Sequence, residues 1–191
     1  MRWSTASGTA DADTTDRARR LVLDRFAWVD GHADVWAIFR DAQALRLVVA
    51  AMTEPFLGDG VTAVCGIESR GFLLGGAAAV QLGVGFVAIR KAAGLFPGDK
   101  AARTAAADYR GVANTLRLQR ASLGPGGRLI LVDDWIETGS QFACARQLVA
   151  DCGAELIGYS VIVDDLADGD RAALGRGHAL VRSAELGSSD S

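Results

Sequence analysis

The chain has 191 residues, of which half are hydrophobic and 23% are charged, and its formal net charge is −3 at pH 7. These values are typical of a single globular domain that is large enough to bury a core. The acidic balance lacks the basic surface that nucleic-acid binding needs, so we expect no nucleic-acid partner. Since no uninterrupted apolar run reaches the roughly 18 residues of a membrane span, we expect no membrane partner either.

The first 16 residues are rich in Ser, Thr, Ala and Asp and lack the apolar centre of a signal peptide. We expect residues 1–16 to form a disordered tail and residues 17–191 to form one domain. The three cysteines, Cys65, Cys144 and Cys152, show no metal-ligand spacing. An odd number of cysteines in apolar or helical surroundings predicts reduced thiols and a cytoplasmic protein.

Hydrophobic periodicity divides most of the chain into alternating helices and strands. The predicted helices span residues 17–29, 41–56, 71–82 and 140–152. The predicted strands span residues 61–67, 84–89, 128–132 and 156–163, with a short further strand at 176–182 outside the main sheet. Because each main strand is apolar on both faces, we predict an α/β fold in which a doubly wound, mainly parallel sheet carries helices on both sides.

Residues 94–123 interrupt this rhythm, since they are polar, rich in Ala and Arg, and show no clear strand–helix unit. A long segment of this kind inside a compact domain is either functional or flexible. We therefore predict a mobile flap that contains a short antiparallel ribbon.

Two adjacent acids, Asp133 and Asp134, follow the apolar strand at 128–132. Neighbouring residues on a strand point to opposite sides, so one carboxylate can face a cleft while the other stays near the end of the sheet. Two carboxylates suit ribose hydroxyls, either directly or through a hydrated Mg²⁺ ion. The alternative is a pair of solvated acids that cap the strand.

A Thr138-Gly139-Ser140 turn comes next and leads into a predicted helix. Hydroxyls and free backbone amides at a helix N-terminus bind a phosphate monoester. An ordinary helix cap is the alternative, and both readings can hold together.

The segment from Gly66 to Phe72 has the same design, because Glu68, Ser69 and Arg70 follow a strand and precede a helix. Arg90 and Lys91 follow the next strand. Three cations near successive strand ends indicate a pyrophosphate site, although each alone is also consistent with a solvated surface residue.

Taken together, these segments resemble the type I phosphoribosyltransferases, and among them the adenine-specific enzymes. Val132-Asp133-Asp134 followed by Thr138-Gly139-Ser140 is similar to the phosphoribosyl-diphosphate signature of that family. The segment Gly66–Phe72 matches a segment of the adenine enzymes almost without change. Leu82–Lys91 is similar to their next strand, and Ala37–Asp41 resembles a shorter segment. The likeness covers most of the chain in the right order.

The resemblance implies transfer of 5-phosphoribose from phosphoribosyl diphosphate to a nucleobase, a purine in the adenine branch, with release of pyrophosphate and with Mg²⁺ as cofactor. It implies a homodimer. It also implies a small hood formed by residues 17–41 and 176–191, and closure of the flap over the substrates to exclude water.

The resemblance further implies roles for individual residues. The 5-phosphate is expected to bind to Thr138, Gly139, Ser140 and Gln141. The ribose, and the metal through water, are expected to bind to Asp133 and Asp134. Pyrophosphate is expected among Glu68, Ser69, Arg70, Arg90 and Lys91. The base slot is expected to be lined by Ile38 and Phe39 with Arg40 nearby, and by Trp135 or Ile136, although Trp135 alone is equally consistent with core packing. The residues expected to take part in catalysis are Asp133, Asp134, Glu137, Asp108 and Arg70.

The sequence also departs from the family pattern. Gln141 stands where the signature usually ends in Thr or Ser, and Glu137 stands where the adenine enzymes have a small residue. The hypoxanthine-guanine enzymes carry an acid there that is thought to act on the purine imidazole. Asp108 replaces the acid of the family's flap segment in a different local sequence. These departures leave the accepted base open.

Two other functions therefore stay open from the sequence. The altered flap and Gln141 favour a non-catalytic sensor of phosphoribosyl diphosphate or of a nucleotide. Glu137 and Trp135 favour a phosphoribosyltransferase with a non-purine acceptor.

Overall fold

The computed structural model describes residues 12–91, 97–106 and 113–187. The helices in these residues are α1 (Ala12–Arg25), α2 (Trp36–Phe39), α3 (Ala42–Thr53), α4 (Arg70–Leu82), α5 (Ser140–Ala150) and α6 (Asp168–Leu174). The strands are β1 (Ala27–Val29), β2 (His32–Asp34), β3 (Ala63–Ile67), β4 (Gly85–Arg90), β5 (Lys100–Thr104), β6 (Thr115–Gln119), β7 (Arg128–Ile136), β8 (Glu155–Asp164) and β9 (Gly177–Arg182).

Seven strands form one sheet in the order β5-β6-β4-β3-β7-β8-β9, and β1 pairs with β2 in a separate hairpin. The strands from β4 to β9 in this order run parallel, whereas β6 is antiparallel to both β4 and β5. Helices α1, α3 and α4 cover one face of the sheet and α5 covers the other. The predicted doubly wound, mainly parallel sheet is therefore confirmed.

The N-terminal segment differs from its prediction at both ends. Helix α1 begins at Ala12, inside the predicted tail, and ends at Arg25 instead of residue 29. It ends early because residues 27–29 pair with residues 32–34 around Asp30-Gly31, both of which adopt positive φ angles of 51° and 73°. Residues 1–11, which form most of the predicted tail, lie outside the described residues.

The prediction that residues 176–182 lie outside the main sheet is wrong. Strand β9 pairs in parallel with β8, because Leu180 and Val181 are apolar and buried in the core. Gly177 makes this pairing possible, since a Cβ atom there would lie 2.1 Å from the ring of Tyr159. β9 also contacts α1 of the predicted hood. After β9, the Gly187 carbonyl accepts a hydrogen bond of 3.2 Å from Trp28 Nε1.

The flap prediction is confirmed where the structure describes it. Strands β5 and β6 form the expected antiparallel ribbon, and β6 joins that ribbon to the main sheet through β4. Residues 92–96 and 107–112, including the predicted flap acid Asp108, lie outside the described residues. Mobility of the flap stays a prediction.

Two glycines fix the junction between β3 and α4, where several predicted site residues lie. A Cβ atom at Gly66 would lie 2.0 Å from the Gly71 carbonyl oxygen, so the end of the strand touches the backbone of the first helical turn. A Cβ atom at Gly71 would lie 3.0 Å from Asp133 Oδ1. The helix can therefore begin against the acid pair only because both positions lack a side chain.

Replacing Gly66 by Ala is expected to lower the free energy of unfolding by about 3 kcal/mol, because the clash involves backbone that cannot swing away. Gly76→Ala in the same helix is the matched control, since a Cβ atom there would meet nothing within 4 Å. That change is expected to be neutral or to stabilise by up to about 1 kcal/mol through helix propensity. Urea denaturation of both variants measures the difference, and equal stabilities would contradict the proposed contact.

The burial of His178 is expected to make the stability of the fold depend on pH. Its Nε2 atom is buried without a hydrogen-bond partner within the described structure, and burial lowers the pKa of the imidazole despite the opposing charge of Glu54. As the pH falls below about 6.5, the unfolded chain takes up the proton first, so stability declines. His178→Leu should reduce the loss of melting temperature between pH 7.5 and 5.5. His32→Gln, at the exposed second histidine, should leave that loss unchanged.

Candidate active site

An open cleft of about 260 Å³ lies beside the carboxyl ends of β3, β4 and β7. Parallel strands with helices on both faces place their ligand sites at this edge. The cleft brings together most of the residues predicted from the sequence, although they come from three separate segments. The residues that line it are Glu68, Ser69, Arg70, Lys91, Asp133, Asp134, Trp135, Ile136, Glu137, Thr138, Gly139, Ser140, Gln141 and Phe142.

Three of the residues predicted for the base slot, Ile38, Phe39 and Arg40, lie outside the described lining of this cleft, and their role stays a prediction. Ile38 has no exposed surface and packs in the core with Val48 instead, because the apolar side of α2 rests on α3. Phe39 packs edge-on against Trp36 with ring centroids 5.4 Å apart. Neither these two residues nor Arg40 is among the described residues that line the cleft.

The acid pair is the most strongly constrained part of the cleft. Strand β7 continues to Ile136, four residues past its predicted end, so both acids lie within the strand. Asp133 and Asp134 both line the cleft, and the Asp134 side chain is buried. The Asp134 amide donates a hydrogen bond of 2.9 Å to Asp133 Oδ1. Burial and, next, the neighbouring Asp134 carboxylate raise the pKa of Asp133 well above its ordinary value.

Arg70 partly neutralises this pair. Its Nε atom lies 3.0 Å from Asp134 Oδ2, and the Asp134 side chain is only 7% exposed. The two groups attract each other without an aligned hydrogen bond, because the buried Oδ2 atom accepts none within the described residues. The Asp134 carboxylate therefore keeps acceptor capacity for a ligand.

The predicted phosphate loop joins β7 to α5. Gly139 has a φ of 70°, and a Cβ atom there would lie 2.6 Å from Leu174 Cδ1, so no other residue fits without strain. Thr138 Oγ1 accepts a 3.3 Å hydrogen bond from the Ser140 amide and donates one of 3.1 Å to Ser140 Oγ. The loop thus presents two hydroxyls at the positive end of the helix dipole, where an anion is favoured.

The other end of the cleft is built by the loop after β3 and the end of β4. The peptide bond between Glu68 and Ser69 is cis. Glu68 forms an ion pair with Arg90, with 2.9 Å between Oε1 and Nη2, and accepts a hydrogen bond of 3.1 Å from the Lys91 amide. Among the described residues of this region, Lys91 lines the cleft and Arg90 does not.

Trp135 belongs to the cleft wall and to the core at the same time. Its ring centroid lies 6.3 Å from that of Phe26 and 6.1 Å from that of Trp28. Trp135 therefore packs on core rings while it lines the cleft, and its role beside a base stays a prediction. Sequence reasoning did not place Phe26 and Trp28 next to it, because 17–29 was predicted as one helix. It also did not single out Phe142, which lies in the first turn of α5 and lines the cleft.

Comparisons with known proteins agree with this site. The family model of the phosphoribosyl transferase domain matches residues 38–173, so the chain belongs to the phosphoribosyltransferase family. Within that family it is similar to adenine phosphoribosyltransferases. It is 39% identical over 148 residues to the enzyme named so from Paracoccus denitrificans, covering 77% of this chain and 78% of the relative.

Solved structures show the same likeness. The adenine phosphoribosyltransferase of Rhodothermus marinus superposes with a TM-score of 0.78 at 28% identity, covering 87% of this chain and 99% of that one. The enzyme from Giardia lamblia, solved in complex with 9-deazaadenine, superposes with a TM-score of 0.75 at 31% identity, covering 88% of this chain and 97% of that one.

Asp133→Asn is expected to raise the melting temperature at neutral pH in the absence of substrate and metal, because it removes one of two adjacent carboxylates, of which Asp134 is buried and Asp133 is half-buried. Asp165→Asn, at an exposed acid outside the cleft, is the control and should change the melting temperature little. Scanning calorimetry at pH 7.5 makes the comparison. A drop in the melting temperature of Asp133→Asn would show that the acid pair is not a source of strain.

Proposed function

We propose that the protein transfers 5-phosphoribose from phosphoribosyl diphosphate to an adenine-like purine and releases pyrophosphate. The observation that carries this proposal is one cleft in which an acid pair, a Thr-Gly-Ser helix start and the cations Arg70 and Lys91 lie together. A sugar phosphate with an anionic leaving group offers a matching partner for each of these groups. The names of the relatives and the adenine analogue in the Giardia complex support the purine acceptor.

The residues suggest how the reaction would proceed. The 5-phosphate binds to the hydroxyls and amides at the start of α5, and the acid pair accepts hydrogen bonds from the ribose hydroxyls. These contacts fix C1 of the ribose opposite the acceptor base. Lys91 and Arg70 stabilise the negative charge that develops on pyrophosphate as its bond to C1 breaks.

A divalent cation fits this cleft for an electrostatic reason. Four acids and two cations line the described cleft, and they are Glu68, Asp133, Asp134 and Glu137 against Arg70 and Lys91. A divalent cation bound there would shift this balance in favour of a polyphosphate. The described residues contain no group of three or more His, Cys, Asp or Glu that could hold a metal. We propose that Mg²⁺ binds through water to Asp133 and Asp134 and takes its remaining ligands from substrate oxygens. Bound there, it would neutralise charge on the leaving pyrophosphate.

Trp135 and Glu137 are proposed to shape the acceptor side. Trp135 supplies an aromatic face for a base, and the rings of Phe26 and Trp28 fix its position. Glu137 can accept a hydrogen bond from a base N–H. A purine has such a donor on its imidazole ring.

Two further properties belong to the same proposal. A homodimer is supported by the exposed apolar side chains Leu73, Val80 and Phe86 on α4 and β4, of which Val80 is 83% exposed. A cytoplasmic location is supported by the three free cysteines, which are consistent with a reducing compartment. Within the described residues, no helix has the length and apolar character needed to span a membrane.

The direct test is pyrophosphate release from phosphoribosyl diphosphate and Mg²⁺ with adenine, hypoxanthine, guanine, xanthine and pyrimidine bases. Turnover with adenine above the other bases is the expected result, and Asp134→Asn should lose most of it. Binding of phosphoribosyl diphosphate without turnover of any base would instead indicate a sensor. Turnover with a pyrimidine alone would overturn the purine assignment.

Glu137→Ala is expected to change the order of base preference, because the variant loses the acid that faces the acceptor. The ratio of kcat/KM for adenine to that for hypoxanthine should shift by about tenfold, as for one hydrogen bond to a charged group. The KM for phosphoribosyl diphosphate should stay constant or fall, since a negative charge leaves the cleft. An unchanged base ratio would place Glu137 outside the acceptor site.

A further inference from the structure

The inference concerns how the pyrophosphate end of the cleft is held together, and it rests on the proposed function. Glu68 is the first residue after β3, and Arg90 is the last residue of β4. Because β3 and β4 pair in parallel with Ile67 opposite Ile89, Glu68 and Arg90 emerge side by side. The Glu68 amide donates a hydrogen bond of 2.9 Å to the Ile89 carbonyl, which continues the pairing by one residue.

The Glu68 carboxylate contacts both the Arg90 guanidinium and the Lys91 backbone. One oxygen lies 2.9 Å from Arg90 Nη2, and the other accepts a hydrogen bond of 3.1 Å from the Lys91 backbone amide. The side chains of Arg90 and Glu68 are 27% and 25% exposed, so the pair is partly withdrawn from water. This geometry fixes the backbone of Lys91, whose side chain lines the cleft.

Charge decides what Arg90 does in this arrangement. Glu68 itself lines the cleft, and an unpaired carboxylate at a pyrophosphate site would oppose binding. A partly desolvated carboxylate that loses its cation also becomes costly in itself. Arg90 supplies that cation from a position outside the described cleft lining, so its effect on the substrate can pass through Glu68.

We propose that Glu68 and Arg90 form a positioning pair: Glu68 anchors the backbone of Lys91, and Arg90 neutralises and orients Glu68 without binding pyrophosphate. Lys91 is then the residue of this segment that contacts the leaving group. The alternative is that Arg90 binds pyrophosphate directly, as its position beside Lys91 in the sequence suggests.

A double-mutant cycle separates these two roles. Arg90→Gln alone removes the cation that pairs with Glu68 but keeps the carboxylate in the cleft, so the KM for phosphoribosyl diphosphate and the Kd for pyrophosphate should rise about tenfold or more. Glu68→Gln alone keeps the cleft free of that charge and should raise both by a few fold through the weaker anchor of Lys91. The double variant Glu68→Gln/Arg90→Gln should bind better than Arg90→Gln and within a few fold of Glu68→Gln.

The controls address folding and net charge. Arg90→Lys keeps the cation and should recover most of the binding. Arg128→Gln removes the same charge from an exposed ion pair with Glu155 and should leave pyrophosphate binding unchanged. The KM for the base should stay constant in every variant, because the pair lies at the pyrophosphate end. Melting temperatures show which variants are folded.

Calorimetric titration with pyrophosphate, together with the turnover assay, tests both the positioning role of Arg90 and the proposed function. If the double variant binds pyrophosphate no better than Arg90→Gln, Arg90 contacts the ligand directly and the positioning role is wrong, while the proposed function stands. If the wild-type protein neither binds pyrophosphate nor turns over phosphoribosyl diphosphate, the proposed function and the positioning role are overturned together. Recovery of pyrophosphate binding in the double variant supports both the positioning role and the proposed function.

Discussion

The structure depends on keeping two adjacent carboxylates, Asp133 and Asp134, close together in a place where water is partly excluded. Like charges in such a place repel each other and lose hydration, which the raised pKa of Asp133 reflects. The surrounding elements are arranged to tolerate this cost. Gly71 lets the first turn of α4 approach Asp133, and Arg70 on that same turn attracts Asp134. The same helical turn therefore determines both the packing of the strand–helix junction and the charge balance of the cleft.

This arrangement explains why the motifs contain the residue types they do. The glycines at 66 and 71 let the strand and the helix approach closely, and the intervening acid, hydroxyl and arginine are thereby held at the edge of the sheet. Gly139 serves the other side of the cleft in the same way, because its positive φ and its contact with Leu174 leave no room for a side chain. The polar residues supply the functional groups of the cleft, and the glycines allow the backbone segments that carry them to approach closely.

The sequence predicted the main sheet and most of the cleft because both depend on local patterns. Apolar strands alternate with helices, Asp133 directly follows the apolar stretch of β7, and Thr138 and Arg70 lie where a loop leads into a helix. What it missed depends on tertiary packing. The edge strand β9 pairs with β8 through a glycine whose role is visible only beside Tyr159. The burial of Ile38 in the core, where α2 rests on α3, likewise depends on packing that the local pattern does not show.

The balance of charge in the cleft connects these details to the proposed chemistry. Each side contains an acid held beside a cation, with Asp134 next to Arg70 and Glu68 next to Arg90. Asp133 and Glu137 also line the cleft, together with Lys91, so acids outnumber cations among its described lining residues although its proposed substrate is a polyphosphate. A divalent cation can interact with acids and phosphates at the same time. Under the proposed function, such a cation would therefore assist substrate binding as well as the chemical step.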